Sequence, residues 1–560
     1  MSPKLNGLLV SDFTCDVLQA FLTNLPEEPS CQVELSPFGQ TINILKDPSG
    51  PLWQNSLDFM VVWTQVMAVV PSFKRVLRFE DVPQQDLLSE CDVFIDALKE
   101  GSSRARFVFV PSWSIPEFVR GYGPIDLKKA NGFRRVLLML NQRLIDGLSE
   151  LPNVFILSTE RWLQMSGDKA CDPRLWYLSK VPYDPSVFRS AAADIKAALC
   201  ACLGGARKLI VVDLDNTLWG GIVGDDGWQH LHLGGHDAQG EAFVDFQHVL
   251  KSFKERGIIL AIASKNEESV ALEAMERHPE MVLKKSDFAA WRINWNDKAQ
   301  NIDEILKELN LTREAAVFID DNPRERERVR QALPGVLVPE WPENSLLYTK
   351  KFLSLTCFDT IHISDDDRKR SHMYAQERER GDMRAKAQNL EEWLVSLDTT
   401  VNIKPLTEDD LPRATQLLNK TNQMNLTTRR LSEQEFKAWA EKPGNRAWVF
   451  RVLDKLGDSG LTGIASISCQ GQEAFIVDFI LSCRVFGRKV EDVMARTLVQ
   501  ASQEQGASQL KAKYLMTEKN GPCLDFFNGR SGFIKDKDGL FVWDLAGEYP
   551  VPTGITIKAV

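Results

Sequence analysis

The sequence has no long apolar run, no paired-cysteine motif, no basic block and no histidine before His230. Its most apolar stretch, residues 57–70, is interrupted by Asp58, Thr64 and Gln65. That is shorter than the roughly 20 residues a membrane-spanning helix needs, so no membrane partner is expected. The opening Met1-Ser2-Pro3-Lys4-Leu5-Asn6 leads into no apolar core with a small-residue cleavage site, and no signal peptide is expected. The ten cysteines are scattered, and Cys200 and Cys202, one residue apart, are spaced for neither zinc nor a disulfide. Reduced thiols and a cytoplasmic location are the expectation. Lysine and arginine total 67 against 77 aspartates and glutamates, a net charge of −10. That balance disfavours binding by phosphate neutralisation, so no nucleic-acid partner is expected. There is no solenoid-period repeat and no low-complexity tract.

What remains is ordinary globular material: 560 residues, 44% hydrophobic and 26% charged. At roughly 150 residues per domain, three or four domains are expected. In residues 1–203, apolar runs such as Gly7-Leu8-Leu9-Val10, Phe107-Val108-Phe109-Val110 and Val154-Phe155-Ile156-Leu157 alternate with longer mixed segments. These read as buried strands of a parallel α/β sheet. An Ala-rich helix closes the region, with Asp184 as N-cap, Pro185 at its first position and Gly204-Gly205 after its end.

Residues 204–345 repeat strand, loop and helix. Leu209-Ile210-Val211-Val212, Ile258-Ile259-Leu260-Ala261-Ile262 and Ala316-Val317-Phe318-Ile319 each run into polar residues, as in an open sheet that works at its strands' carboxyl ends. Residues 346–399 read as a helical linker, with mixed-sign stretches at 365–370 and 377–380. Residues 400–560 mix short strands (448–452 and 475–481) with amphipathic helices, an α+β pattern.

The chemistry-bearing signal is Asp213-Leu214-Asp215-Asn216-Thr217 at the end of the first of those strands. Two carboxylates two residues apart can cap a turn. They can also converge on a Mg²⁺-bound phosphoryl group, one attacking phosphorus while the other moves a proton. Three further pieces favour the second reading. Ser264-Lys265-Asn266 ends the next strand with a hydroxyl, Lys298 precedes a helix, and Asp320-Asp321 ends another strand with oxygen ligands for a hard cation. Each alone has an ordinary structural explanation, but four in this order do not arise readily by chance.

The order resembles the haloacid dehalogenase superfamily of aspartate-nucleophile phosphatases. The resemblance implies a Rossmann-like core in which Asp213 is the nucleophile and Asp215 the general acid/base. It implies that Ser264 and Lys298, with Asn216 and Thr217, bind phosphate. Mg²⁺ would be held by Asp213, Asp320, Asp321 and the backbone of Asp215. The short segment between Gly220-Gly221 and Glu241 leaves room for a flap but not a large cap. More closely, residues 213–227 (DLDNTLWGGIVGDDG), 287–295 (DFAAWRINW), 318–325 (FIDDNPRE) and 421–430 (TNQMNLTTRR) resemble the FkbH-like proteins. That family takes a glyceryl group from 1,3-bisphosphoglycerate, removes phosphate and loads the acyl group on a phosphopantetheinylated acyl carrier protein for polyketide biosynthesis. Lys265, Asn266, Trp291 and Arg292 are pocket candidates. Where members carry cysteine before the second-strand serine this chain has Ala263, and Leu214 puts no thiol between the aspartates. Direct transfer to the carrier's thiol is therefore expected, without a stable enzyme thioester. A small-molecule phosphatase and a non-catalytic carrier-binding scaffold are the alternatives.

The same resemblance implies an SGNH-hydrolase-like domain in front and an acetyltransferase (GNAT)-like domain behind. Ser11 follows the first strand, but with no histidine in its region it reads as a turn cap rather than a nucleophile. Residues 484–489 (RVFGRK) stand where a GNAT-like fold grips a pyrophosphate, or where a pantetheine arm could dock. Asn520 and Phe526-Phe527 stand where such folds make later cofactor contacts.

Overall fold

The computed structural model describes residues 4–54, 56–115, 119–130, 132–363, 380, 383–384, 387 and 389–559. The chain divides into two units, Met1–Cys202 and Leu203–Val560.

In the first unit, five strands form one parallel sheet: β1 (Leu5–Ser11), β2 (Cys31–Leu35), β3 (Leu57–Trp63), β4 (Ala105–Pro111) and β5 (Val154–Leu157). Their order, β2-β1-β3-β4-β5, is that of a doubly wound fold. The inner strands read as unbroken apolar runs because helices cover both faces of the sheet. Val154–Leu157, expected to be buried, is half-exposed along its whole length, because β5 is an edge strand with one neighbour. One face carries a core of aliphatic side chains with Phe73, Phe94, Trp113 and Phe133. Elsewhere Phe13, Trp63, Trp162, Tyr183 and Phe188 form an aromatic cluster. Ser11 Oγ accepts the Phe13 amide at 3.1 Å, as a turn cap does. The closing helix is Pro185–Cys202, and Asp184 Oδ1 accepts the Ser186 amide at 2.9 Å.

The second unit holds two sheets. The smaller has β6 (Leu209–Val212), β7 (Ile259–Ser264), β8 (Phe288–Ile293) and β9 (Ala316–Ile319), all parallel, in the order β8-β7-β6-β9. β6, β7 and β9 are buried throughout. Helices Ala238–Glu255 and Glu268–Arg277 contribute to the apolar core on one face, and Lys298–Glu308 and Pro323–Ala332 to that on the other. The core runs on past residue 345. Tyr348 and Phe352 pack on Phe246, and Phe352 and Phe358 on Phe253. The charged stretches 365–370 and 377–379 lie outside the described residues.

The larger sheet comprises β10 (Thr399–Pro405), β12 (Asn445–Asp454), β13 (Gly457–Gln470), β14 (Glu473–Leu481), β15 (Gln509–Ala512), β16 (Ile534–Lys535), β17 (Phe541–Asp544) and β18 (Ile555–Ala559), joined by the short β11 (Met424–Asn425). Its central strands are not short as expected, since β13 alone has 14 residues. Glycine and serine along β13 disguise it as loop sequence. β13 pairs with β14 along nearly its full length. The other edge of β14 is shared, with β15 on residues 473–476 and β11 on 480–481. Among the described residues no helix is long and apolar enough to cross a membrane.

Candidate active site

β6 ends at Val212, and the Asp213 amide continues the ladder by donating to Ile319 O of β9 at 3.0 Å. This puts the Asp213 carboxylate at the carboxyl edge, between two buried strands. The chain then turns: the Thr217 and Leu218 amides both donate to Leu214 O, and Asn216 takes φ +54°. Asparagine tolerates that left-handed conformation better than most residues, which suits it to this position.

Four charged side chains meet at this edge. Lys298, the first residue of its helix after the N-cap Asp297, places Nζ 2.9 Å from Asp213 Oδ2 and 2.6 Å from Asp320 Oδ2. Oxygens of Asp213, Asp320 and Asp321 lie within 4.8 Å of one another. Lys298 and Asp320 are 3% and 0% exposed, so bulk water does little to screen this cluster. Burial and the charge of Asp213 push the Asp320 carboxyl up, and burial likewise raises Asp321. Burial pulls Lys298 down, but the carboxylates of Asp213 and Asp320 outweigh it and hold the ammonium charged. Three carboxyl groups thus crowd round one ammonium. Asp213 Oδ1 is buried with no hydrogen-bond partner among the described residues. An unpaired buried oxygen is costly, and a divalent cation with oxygen ligands would satisfy it. The residues present therefore fit Mg²⁺.

Asp215 stands apart from that cluster. Its Oδ1 accepts from Trp219 Nε1 at 2.9 Å and from the Val223 amide at 3.1 Å, and its Oδ2 from Asn266 Nδ2 at 2.8 Å. Burial raises its pKa, and those three donors pull the other way. A carboxyl group so raised and so held can give up and take back a proton.

The expected residues are brought together to different degrees. Ser264 ends β7 two residues past the Val212–Ile262 pairing, at the same edge as Asp213, and is 1% exposed. Thr217 is turned to Asp321: its hydroxyl donates to Asp321 Oδ1 at 3.3 Å and accepts the Asp321 amide at 3.1 Å. Asn216 is exposed, with Oδ1 on the Gly221 amide and its carbonyl accepting from Tyr348. Lys265 pairs with Glu325 at 2.7 Å. Arg292 is directed elsewhere. It sits beside Ala263 in the β7–β8 register, and its guanidinium is engaged by Glu304 and Glu308 of helix Lys298–Glu308. Trp291 donates to Glu268.

Two residues that sequence reasoning passed over belong to the site. Trp219 lies four residues after Asp215, and that spacing was the available signal. Arg326 donates from one guanidinium nitrogen to the carbonyls of both Asp320 and Asp321, at 2.9 and 2.6 Å. In the sequence it is one of four arginines in a strongly charged helix, and nothing marked it out.

The third region's candidates are consumed internally. Arg488, 1% exposed, is paired with Asp454, and Arg484 donates from Nε to Ser482 Oγ at 3.2 Å. Asn520 donates to the carbonyls of Asn425 and Leu515 and accepts from Tyr514 and Thr517, while Phe526 and Phe527 are core residues.

No protein-family model and no curated protein matches the chain. Among solved structures, the ribosomal-protein-S18-alanine N-acetyltransferase from Escherichia coli aligns over 27% of this chain and 99% of its own, at 14% identity and a TM-score of 0.21. An acetyltransferase of the GNAT family from Staphylococcus aureus aligns over 26% and 99%, at 11% identity and 0.21. Likeness that slight assigns no fold. The N-terminal part of the protein BF1531 from Bacteroides fragilis, described as containing a phosphatase domain and complexed with Mg, aligns over 64% of this chain and 94% of its own. Identity there is 29% and the TM-score 0.58. Over that span the chain shares its fold with a phosphatase-domain protein.

Proposed function

We propose that the second unit is a Mg²⁺-dependent phosphatase-type enzyme with an aspartate nucleophile. The observation that carries this reading is the buried Asp213 Oδ1, without a hydrogen-bond partner among the described residues, within a cluster of three carboxyl groups whose oxygens lie within 4.8 Å of one another. The Mg complex of the BF1531 phosphatase-domain protein supports it. Asp213, Asp320 and Asp321 would hold the ion, which supplies charge stabilisation to the phosphoryl group. An Asp213 oxygen attacks phosphorus and the bond from phosphorus to the leaving oxygen breaks, while Asp215 passes its proton to that oxygen. Asp215 then takes a proton from the water that attacks the aspartyl phosphate, which regenerates the Asp213 carboxylate and releases phosphate. Lys298 offsets the negative charge around the nucleophile throughout.

The finer reading is that the substrate is 1,3-bisphosphoglycerate and that the glyceryl group ends on an acyl carrier protein. Transfer would proceed by attack of the carrier's pantetheine thiolate on the acyl carbon, with the acyl phosphate leaving as phosphate, while the 3-phosphate ester is removed by the Asp213 and Asp215 steps above, so that unphosphorylated glyceryl remains on the carrier. The cysteines favour the carrier's thiol over one of the enzyme's own. Burial pushes Cys523 up to about 12 and raises the Cys202 thiol as well, which leaves both poor nucleophiles. The Cys357 carbonyl accepts the Arg207 amide, just before β6, at the sheet edge opposite Asp213.

The test combines the protein, Mg²⁺, enzymatically generated 1,3-bisphosphoglycerate and a holo-carrier protein, followed by phosphate assay and intact-mass spectrometry of both proteins. A glyceryl adduct on the carrier, with none on the enzyme when carrier is omitted, is the expected result. Phosphate release without carrier loading would leave a phosphatase and remove the transfer reading. No phosphate release from this or simple phosphomonoesters would remove both.

A further inference from the structure

Of the fourteen tryptophans only Trp295 is exposed, at 74%, and the others are buried or half-buried. An indole left in water is unusual, because its large apolar surface gains so much from burial. Trp295 stands two residues past the end of β8 and three before Lys298, whose Nζ lies 2.9 Å from the nucleophile Asp213. It is thus displayed at the catalytic edge of the sheet. Among the described residues, no hydrogen bond, ring stacking or cation engages its indole.

The loop that carries it is pinned on both sides. The Asn294 amide donates to Ser264 O at 3.1 Å. Asn294 Oδ1 accepts the Asn296 amide at 3.0 Å and Nδ2 of the buried Asn301 at 2.9 Å. Asp297 Oδ1 accepts the Ala299 amide at 2.7 Å, and its Oδ2 pairs with Arg328 at 2.7 Å. A stiff side chain on a fixed loop loses little conformational freedom when a ligand packs on it.

The proton donor shows on which side a leaving group departs. Asp215 serves the leaving oxygen, and it lies on the β7 side of the site, held at 2.8 Å by Asn266, two residues past the end of β7. The flap covers the same side. The Val223 amide donates to Asp215 Oδ1 at 3.1 Å, and a Cβ on Gly224 would lie 3.7 Å from Asn266 Oδ1. Ile222, exposed beside Val223, is fixed by its amide on Asp226 Oδ2 at 2.9 Å. Past β7 comes β8 with Trp295. At about 4.8 Å between neighbouring strands, β8 lies about 10 Å from β6, a span that a two-carbon leaving group does not cover. Charge on this side is unfavourable to an anion. Asp225, Asp226 and Glu267 are exposed, and Lys265 is paired with Glu325.

We propose that Trp295 is a substrate-contacting residue that, with Ile222 beside the proton donor, receives an elongated, uncharged leaving group. The inference rests on the phosphatase reading above and specifies which phosphate esters that site accepts. A phosphoglyceryl thioester, the ester cleaved on the finer reading, has a leaving group of this kind.

Steady-state kinetics in Mg²⁺ with three probes test it. They are 4-methylumbelliferyl phosphate, a long uncharged ester; its 4-carboxymethyl analogue, the same arm with a negative charge; and acetyl phosphate, too short to reach β8. Wild-type protein should show a higher KM for the charged analogue than for 4-methylumbelliferyl phosphate. Trp295→Ala should lower kcat/KM for 4-methylumbelliferyl phosphate about tenfold more than for acetyl phosphate, with the loss in KM rather than kcat. Trp295→Phe should recover most of it. Equal losses on both substrates, or none on either, overturn the proposal, as does a KM for the charged analogue no higher than for the uncharged ester. Those outcomes leave the phosphatase reading standing, because wild type still releases phosphate. No release by wild type from any probe removes that reading and this one with it.

Discussion

Asp213 and Lys298 make one buried unit, and replacing either member changes more than a charge. Asp213→Asn keeps the shape but offers an amide where a nucleophile is needed, so phosphate release should fall below detection while the far-ultraviolet circular dichroism stays unchanged. Wild-type turnover in folded Asp213→Asn would remove the nucleophile assignment. Arg326 acts one layer further out, because it tethers the carbonyls of the two acidic residues rather than their carboxylates. Outer partners of this kind typically contribute 10–100-fold to metal affinity. Arg326→Leu should weaken binding of Mn²⁺, followed by its electron-paramagnetic signal, by about that factor. Unchanged Mn²⁺ affinity would show the tether to be dispensable. In the other unit, burial pushes the Asp12 carboxyl from 3.8 up to about 6, against the pull of the Gln65 amide that it accepts at 2.9 Å. The folded state holds that proton more tightly than the unfolded one. Stability therefore falls as pH rises through the window from about 4 to about 6, by up to about 3 kcal/mol. Asp12→Asn keeps the acceptor and loses the titration. Urea denaturation should show the variant level with wild type near pH 4 and more stable at pH 7.5, whereas a gap that is constant with pH would contradict this.

Packing between strands explains both what the sequence displays and what it conceals. β6, β7 and β9 stand out as apolar runs because both their faces are buried, and the residues that follow them form the acidic edge. β8 does not stand out, because it is an edge strand and Trp291 and Arg292 interrupt its apolar pattern. The same register explains why Arg292, proposed for the pocket, turns away. It lies beside Ala263, whose side chain faces the core built from helix Lys298–Glu308. Trp219 and Arg326 were hidden for a different reason, since their roles depend on a turn and on a backbone contact that carry no periodicity. Close approach between β1 and β3 is equally invisible in sequence. Gly7 pairs with Phe59, and a Cβ at residue 7 would lie 2.2 Å from the Phe59 ring. Gly7→Ala should therefore destabilise the first unit by about 1–3 kcal/mol in urea titration. Phe59→Leu in the same chain should restore part of that loss. Strict additivity of the two changes would show that the ring and the glycine do not meet.

Two compact units in one chain imply that unfolding need not be a single transition. Their stabilities also depend on different variables. Asp12 ties the first unit to pH, whereas on the proposed function the carboxylate cluster of Asp213, Asp320 and Asp321 would tie the second to a divalent cation. A ligand that binds only the folded form stabilises by an amount set by its concentration over its dissociation constant, about 2.7 kcal/mol at a hundredfold excess. Scanning calorimetry of the full-length protein at pH 7.5 should accordingly resolve two transitions. Asp12→Asn should raise one of them and leave the other in place. Mg²⁺ should raise only the transition that Asp12→Asn does not move, and chelator should reverse the shift. Asp213→Asn removes one carboxylate from the ligand set while relieving repulsion within it, so the metal-free transition should hold or rise while the Mg²⁺-dependent increment shrinks. Mg²⁺ acting on the transition marked by Asp12→Asn would place the ion outside the acidic edge of β6 and β9. An undiminished increment in Asp213→Asn would show that the buried Asp213 Oδ1 is not a ligand.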